Sequence, residues 1–204
     1  MRGAAWLLAA LLLSACQRAH GEPSAASIDA HSQPAQEAFD PTQRHLDRPR
    51  DDADVHYTPR AHYRVAARVL SRERYYLGWQ SSLSPIDLSL GWGTMSDPTV
   101  DQWVSWHQGG RWYFWQWDAG SPYRNEQIRA DSANTHVIPG SDNLRRALLA
   151  LDRGDVVQLQ GWLVDIDGPG GAHWSTSLSR SDTGDNSCEL LYVTELVAHG
   201  HVYR

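Results

Sequence analysis

The chain has 204 residues, a formal net charge of -6 and 41% hydrophobic residues, enough for one domain with a real core and a further tail. Apart from histidine every basic side chain is arginine, and the acidic balance argues against nucleic acid or an anionic lipid surface as partner, since both need clustered positive charge. The two cysteines, Cys16 and Cys188, argue against a disulfide framework.

At the amino terminus one positive charge, Arg2, precedes an apolar run from Ala4 to Leu13. That run suits a signal peptide and is too short for a spanning helix of about 20 residues. The sequence Leu13-Ser14-Ala15-Cys16 resembles the lipobox of bacterial prolipoproteins. The resemblance implies cleavage after residue 15, lipidation of Cys16 by diacylglyceryl and acyl groups (palmitate among them), and a membrane anchor. Gln17 after the cysteine, where Asp would imply inner-membrane retention, implies an outer-membrane protein facing the periplasm.

Residues 16–60 are rich in Pro, Ala, Ser, Gln, Asp and Arg, and their apolar residues (Ile28, Phe39, Leu46) are isolated. Such a stretch reads as a flexible tether, with a coil reach of roughly 35 Å. Residues 61–204 read as a single β-rich domain.

Within that domain Tyr63–Leu70 is a short strand or helix, and Tyr75–Trp79 suits an aromatic strand. The stretch from Leu83 to Gly93 alternates apolar and polar residues at Ile86, Leu88 and Leu90, which is strand periodicity. Two aromatic segments between Gln102 and Trp117 flank Gly109-Gly110 and read as a hairpin. Asn134–Pro139 reads as a loop before a helix. That helix is capped by Ser141 and carries Leu144, Ala147, Leu148 and Leu151 on one face, with Gly154 as its stop. Asp155–Ile166 is a strand in which Gly161 marks a bulge or bend. His173–Leu178 and Glu189–Val197 are further strands. Seven or eight strands with one marked helix predict a mainly β fold: a small, partly open β-barrel of the oligonucleotide/oligosaccharide-binding (OB-like) kind, or a twisted antiparallel sheet. Segments from Asn134 to Pro139, Gly154 to Val164 and Trp174 to Asp185 resemble a group of uncharacterised proteobacterial proteins with no established activity. That similarity spans roughly residues 65–197 and implies one domain.

Five of the ten tryptophans fall between Trp103 and Trp117. In an extended strand Tyr113, Trp115 and Trp117 share one face, and Trp112 and Phe114 the other. These rings either pack in the core or form a stacking platform, for which a glycan is the expected ligand. His136, with Arg180 and Asp182, is a second candidate for a ligand pocket. Asp182-Thr-Gly184 matches the aspartic protease triplet as a string, but the lead-in Ser179-Arg-Ser181 is polar where those enzymes need an apolar strand. Asp165 and Asp167 could approach a cation only with Asp182 and Asp185. Cys188 opens an apolar strand and reads as a buried thiol. His199 and His201 read as solvated.

No constellation meets the standard for a catalytic assignment, and no metal or cofactor is implied. The expected function is a lipid-anchored envelope module that binds a glycan or a protein partner. The alternatives are a cell-wall or polysaccharide hydrolase working through His136, Arg180 and Asp182, and a purely structural envelope lipoprotein.

Overall fold

The computed structural model describes residues 18–42, 49, 54–179 and 187–204. Among these, the strands are β1 (Glu22–Pro23), β2 (Ala35–Ala38), β3 (His56–Arg74), β4 (Ile86–Gly91), β5 (Val104–Gly109), β6 (Trp112–Trp117), β7 (Ser132–Pro139), β8 (Val156–Asp167), β9 (His173–Trp174), β10 (Glu189–Ala198) and β11 (His201–Tyr203). Three short helices accompany them: α1 (Trp79–Leu83), α2 (Asn125–Ala130) and α3 (Asp142–Leu149). None of the described helices is long and apolar enough to cross a membrane.

The organising element is β3. From Ala61 to Val69 every second side chain (Ala61, Tyr63, Val65, Ala67, Val69) is buried, the period of a strand with one face on a core. Its first part pairs with β8 (His56 opposite Asp167, through Arg68 opposite Val156), and its end pairs with β4 (Arg68 opposite Gly91, through Arg74 opposite Ile86). One strand therefore joins two neighbours, and pairings β4–β7, β7–β10 and β10–β8 complete a hydrogen-bonded ring. In chain order its strands are β3, β4, β7, β8 and β10; in space they run β3-β4-β7-β10-β8, with β7 and β10 parallel and α3 connecting β7 to β8. This is the mainly β, OB-like arrangement expected from the sequence.

The ring encloses the main core, including Val65, Leu88, Leu90, Val137, Leu159, Leu163, Leu191 and Val193. α3 adds Leu144, Ala147 and Leu148 to it, and Leu151 follows. The expected cap is present: Ser141 Oγ accepts the Leu144 N–H at 3.1 Å. Pairing slips between Val69 and Ser71, a bulge that turns Leu70 to the outer face. There it packs with Met95, Val100, Val104, Trp106 and Ile128 beneath the β5–β6 hairpin. Buried Arg68 donates to both carboxylate oxygens of Asp101 (2.9 and 3.1 Å), pinning the short 3-10 turns between Gly93 and Gln102 to β3.

Four local expectations change. Tyr75–Trp79 is not a strand: β3 runs on to Arg74, and the aromatic residues form the connection into α1. Asn134–Pro139 is not a loop but most of β7, whose polar residues are buried because both of its faces are covered. The strand begun at His173 stops at Trp174. The hairpin turn is Gly110-Arg111 rather than Gly109-Gly110, with both residues at positive φ (61° and 73°).

The stretch expected to be a tether is also different where it is described. β1 pairs with β11, β2 pairs with β3, and the Gly93 N–H donates to the Ala30 carbonyl (2.9 Å). Gln33 accepts from Trp92 Nε1 and donates to Asp131 (both 3.0 Å), and Phe39 stands edge-on to Trp162. Residues 18–42 thus lie along the domain through main-chain pairing and a few isolated side chains, a mode of attachment that leaves no apolar period to read. Cys16 lies outside the described residues.

Candidate functional site

The outer face of β4 and β7 carries the polar half of each strand's alternation: Asp87 and Ser89 on β4, Asn134 and His136 on β7. Such side chains would ordinarily face water. Here the hairpin folds back over them, and Asp87 is 0% exposed.

A buried carboxylate needs a cation and donors. Arg111, at the hairpin turn, supplies both: Nη1 donates to Asp87 Oδ1 at 2.6 Å and Nη2 donates to the Ser84 carbonyl at 3.0 Å. The guanidinium lies 3.8 Å from the centre of the Tyr75 ring, with Trp174 on another side at 5.5 Å. The Arg111 backbone N–H donates to the Tyr75 hydroxyl at 2.9 Å, so the same residue is held at both main chain and side chain. Burial first, and then the Asp87 carboxylate, push that hydroxyl up to about 12, so Tyr75 stays neutral.

On the other side of Asp87, His136 Nδ1 lies 2.9 Å from Oδ2, in contact but not aligned as a hydrogen bond. The imidazole packs against Trp174 with ring centres 5.0 Å apart. A neutral chain extends the cluster along β7: Ser71 Oγ donates to Gln108, Gln108 Nε2 donates to Asn134 Oδ1 (2.6 Å), and Asn134 Nδ2 donates to the Arg111 carbonyl (3.0 Å). Cys188 Sγ lies 3.6 Å from Asn134 Nδ2, and the thiol is half-buried and in no disulfide.

Three connections therefore converge on the Asp87–Arg111–His136 cluster: the β3–β4 segment through Tyr75 and Ser84, the hairpin turn through Arg111, and the β8–β10 segment through Trp174. Trp79 closes the rim. It meets Trp174 edge-to-face (6.1 Å, 82°) and lies so close to Gly168 that a Cβ there would stand 2.8 Å from the indole. Beside the same rim a cleft of about 250 Å³ opens between Tyr57, Ser82, Leu83, Ile138 and the start of α3, where Arg145 donates to the Ser82 carbonyl (3.2 Å).

The residues singled out from sequence divide into three groups. Tyr113 and Trp115 pack on the core beneath the hairpin, and burial pushes the Tyr113 hydroxyl up to about 12. Trp117, on the same side, is 47% exposed at the open end, and Trp112 lies on the outward face with Phe114. His136 belongs to the Asp87 cluster and is buried. Arg180 and Asp182 lie outside the described residues. The hairpin reaches His136 through Arg111 and Asp87, and it reaches the same face of β7 through Gln108 and Asn134. His199 Nε2 contacts Asp155 at 2.9 Å, and among the described residues no three His, Cys, Asp or Glu side chains gather as a metal site.

Asp87, Arg111, Tyr75 and Trp174 were not foreseen. Asp87 occupies the polar position of a clean alternation, which normally means solvent. The available signal was the hairpin itself, which is aromatic on both faces and so must cover something.

Fold and site together define a mainly β protein whose strand ring carries a buried Asp–Arg–His cluster under an aromatic hairpin. Compared with known proteins, the chain matches no family model, no curated protein and no solved structure.

Proposed function

We propose that this protein is a glycan-binding module of the bacterial envelope, anchored through Cys16, with its ligand seated at the rim formed by Trp79 and Trp174. The observation that carries the reading is the half-buried indole pair Trp79–Trp174, of which Trp174 packs on His136 and Arg111 of the Asp87 cluster, with an open cleft formed by Ser82 and Leu83 of α1 and the start of α3. Indoles with an apolar body and a wet edge stack on the C–H faces of sugar rings, and the neighbouring Ser82, Asp142 and Arg145 supply hydroxyl-directed partners. The buried ion pair holds the platform rigid, so little ordering is needed on binding. By analogy of fold, OB-type domains bind oligosaccharides on the face of their second and third strands and on the adjoining loops; β4, β7 and the two converging connections hold those places here. The net charge of -6 disfavours the other common ligand of such domains, nucleic acid.

Trp174→Ala should lower retention on an immobilised envelope polysaccharide at least tenfold while thermal unfolding stays cooperative. Phe114→Ala, on the outward face of the hairpin, should leave retention unchanged. Equal retention by Trp174→Ala and wild type overturns the rim as the site. For the anchor, Cys16→Ser should move the protein from the membrane pellet to the soluble fraction. A variant that stays in the pellet refutes lipidation at Cys16.

A further inference from the structure

We propose that Asp167, His173 and Ser175 form a second, solvent-open site in which Ser175 is an activated nucleophile toward small activated esters. The three side chains are joined in series: Asp167 Oδ1 lies 2.7 Å from His173 Nδ1, and His173 Nε2 lies 2.8 Å from Ser175 Oγ. The strand pairing produces this order. Asp167 stands directly opposite His173 across the β8–β9 pair, and Ser175 lies just past the end of β9, where its hydroxyl reaches back to His173 Nε2.

The protonation pattern follows from the partners. A carboxylate only accepts, so Nδ1 carries a proton and donates to Asp167; in the neutral imidazole the Nε2 lone pair is then the acceptor for the Ser175 hydroxyl. That is the arrangement of nucleophile, general base and orienting acid. It forms although His173 and Asp167 are 55% and 64% exposed and water competes for every one of these groups. The strand behind it is held: Trp174 points to the opposite face and packs in the rim, and the Thr176 N–H donates to Asp165 Oδ1 at 3.0 Å. The imidazole and the carboxylate are open to solvent, and Ser175 beside them is half-buried. Because His173 and Ser175 face away from Trp174, this site is separate from the glycan rim and does not depend on that reading.

In the reaction Ser175 Oγ attacks the ester carbonyl carbon and its proton passes to His173 Nε2. The bond from that carbon to the leaving oxygen breaks, and the leaving group takes the proton from His173. Water then attacks the acyl-serine, its proton passes through His173, and a carboxylic acid departs with Ser175 restored. A positioned general base contributes about 10²–10⁴-fold. With that factor alone the site suits phenyl-type esters with good leaving groups rather than amides.

The full chain should release p-nitrophenolate from p-nitrophenyl acetate at least 100-fold faster than Ser175→Ala, and a fluorophosphonate probe should label Ser175 ahead of the other serines by peptide mapping. His173→Ala should abolish both signals, and added imidazole should restore the first because the site is open. Asp167→Asn should lower the rate about tenfold. Asp167 and His173 are exposed and Ser175 is half-buried outside the core clusters, so circular dichroism should be unchanged in every variant. Hydrolysis by Ser175→Ala equal to wild type, labelling spread evenly over serines, or a His173→Ala variant as active as wild type would each overturn the proposal.

Discussion

Arg111→Ala is expected to destabilise the protein by about 3–5 kcal/mol, the usual cost of removing one partner of a buried ion pair. Asp87 is fully buried, and Arg111 provides its 2.6 Å charged hydrogen bond. Without the guanidinium the carboxylate keeps, among the described residues, the His136 contact, which is close but poorly aligned. The Ser84 carbonyl and the Tyr75 ring lose their partner at the same time. Arg111 also holds a left-handed backbone (φ 73°), a conformation that costs a non-glycine residue of order 1–3 kcal/mol. Arg111→Gly should therefore be less damaging than Arg111→Ala, because it removes that strain along with the charge. Arg111→Lys should not rescue: an ammonium cannot engage Asp87 and Ser84 as a planar fork while stacking on Tyr75. Urea unfolding of the three variants measures these differences. A loss below about 1 kcal/mol for Arg111→Ala would mean that water reaches Asp87. The double variant Asp87→Leu with Arg111→Leu should recover much of the loss, since apolar replacement of a buried pair is often neutral.

Gly161→Ala is expected to cost at least the upper end of the 1–3 kcal/mol typical of overpacking. A Cβ at this position would stand 1.9 Å from the Tyr192 carbonyl oxygen, 2.9 Å from its carbon and 3.1 Å from Val193 Cα. All three atoms are backbone of β10, so no side-chain rotation relieves the clash. Gly161 is also paired on its other side with Tyr63 of β3, so the strand cannot simply shift away. The ring itself must open between β8 and β10, next to the bulge between Val193 and Glu195. Gly109→Ala is the control, because Gly109 has no positive φ and nothing near its Cβ position. It should change the melting temperature by no more than a degree or two, against many degrees or loss of folding for Gly161→Ala.

These two positions mark the range of what could be read in advance. Gly161 was legible: a glycine within a β-branched, apolar run signals a bend or a close backbone approach, and the approach is there. The capped helix α3 and the aromatic hairpin were legible for the same reason, since each is specified by neighbours within a few residues. The importance of Arg111 was not. In sequence it is one arginine beside a glycine pair, and only the folding of the hairpin back onto β4 brings it to Asp87, 24 residues away. The Ser175–His173–Asp167 series needed the β8–β9 pairing, and Trp79 met Trp174 only when two distant connections converged. Residues 18–42 likewise joined the domain through main-chain pairing, to which composition is blind.

Local pattern thus determined the mainly β class, the main helix and hairpin, and the polar–apolar alternation of β4, because strand period, capping and turn chemistry act over a few residues. The tertiary structure alone decided which polar residues are buried and with what partners. Burial of a charge depends on what covers it, and here the covering elements come from segments far apart in the chain.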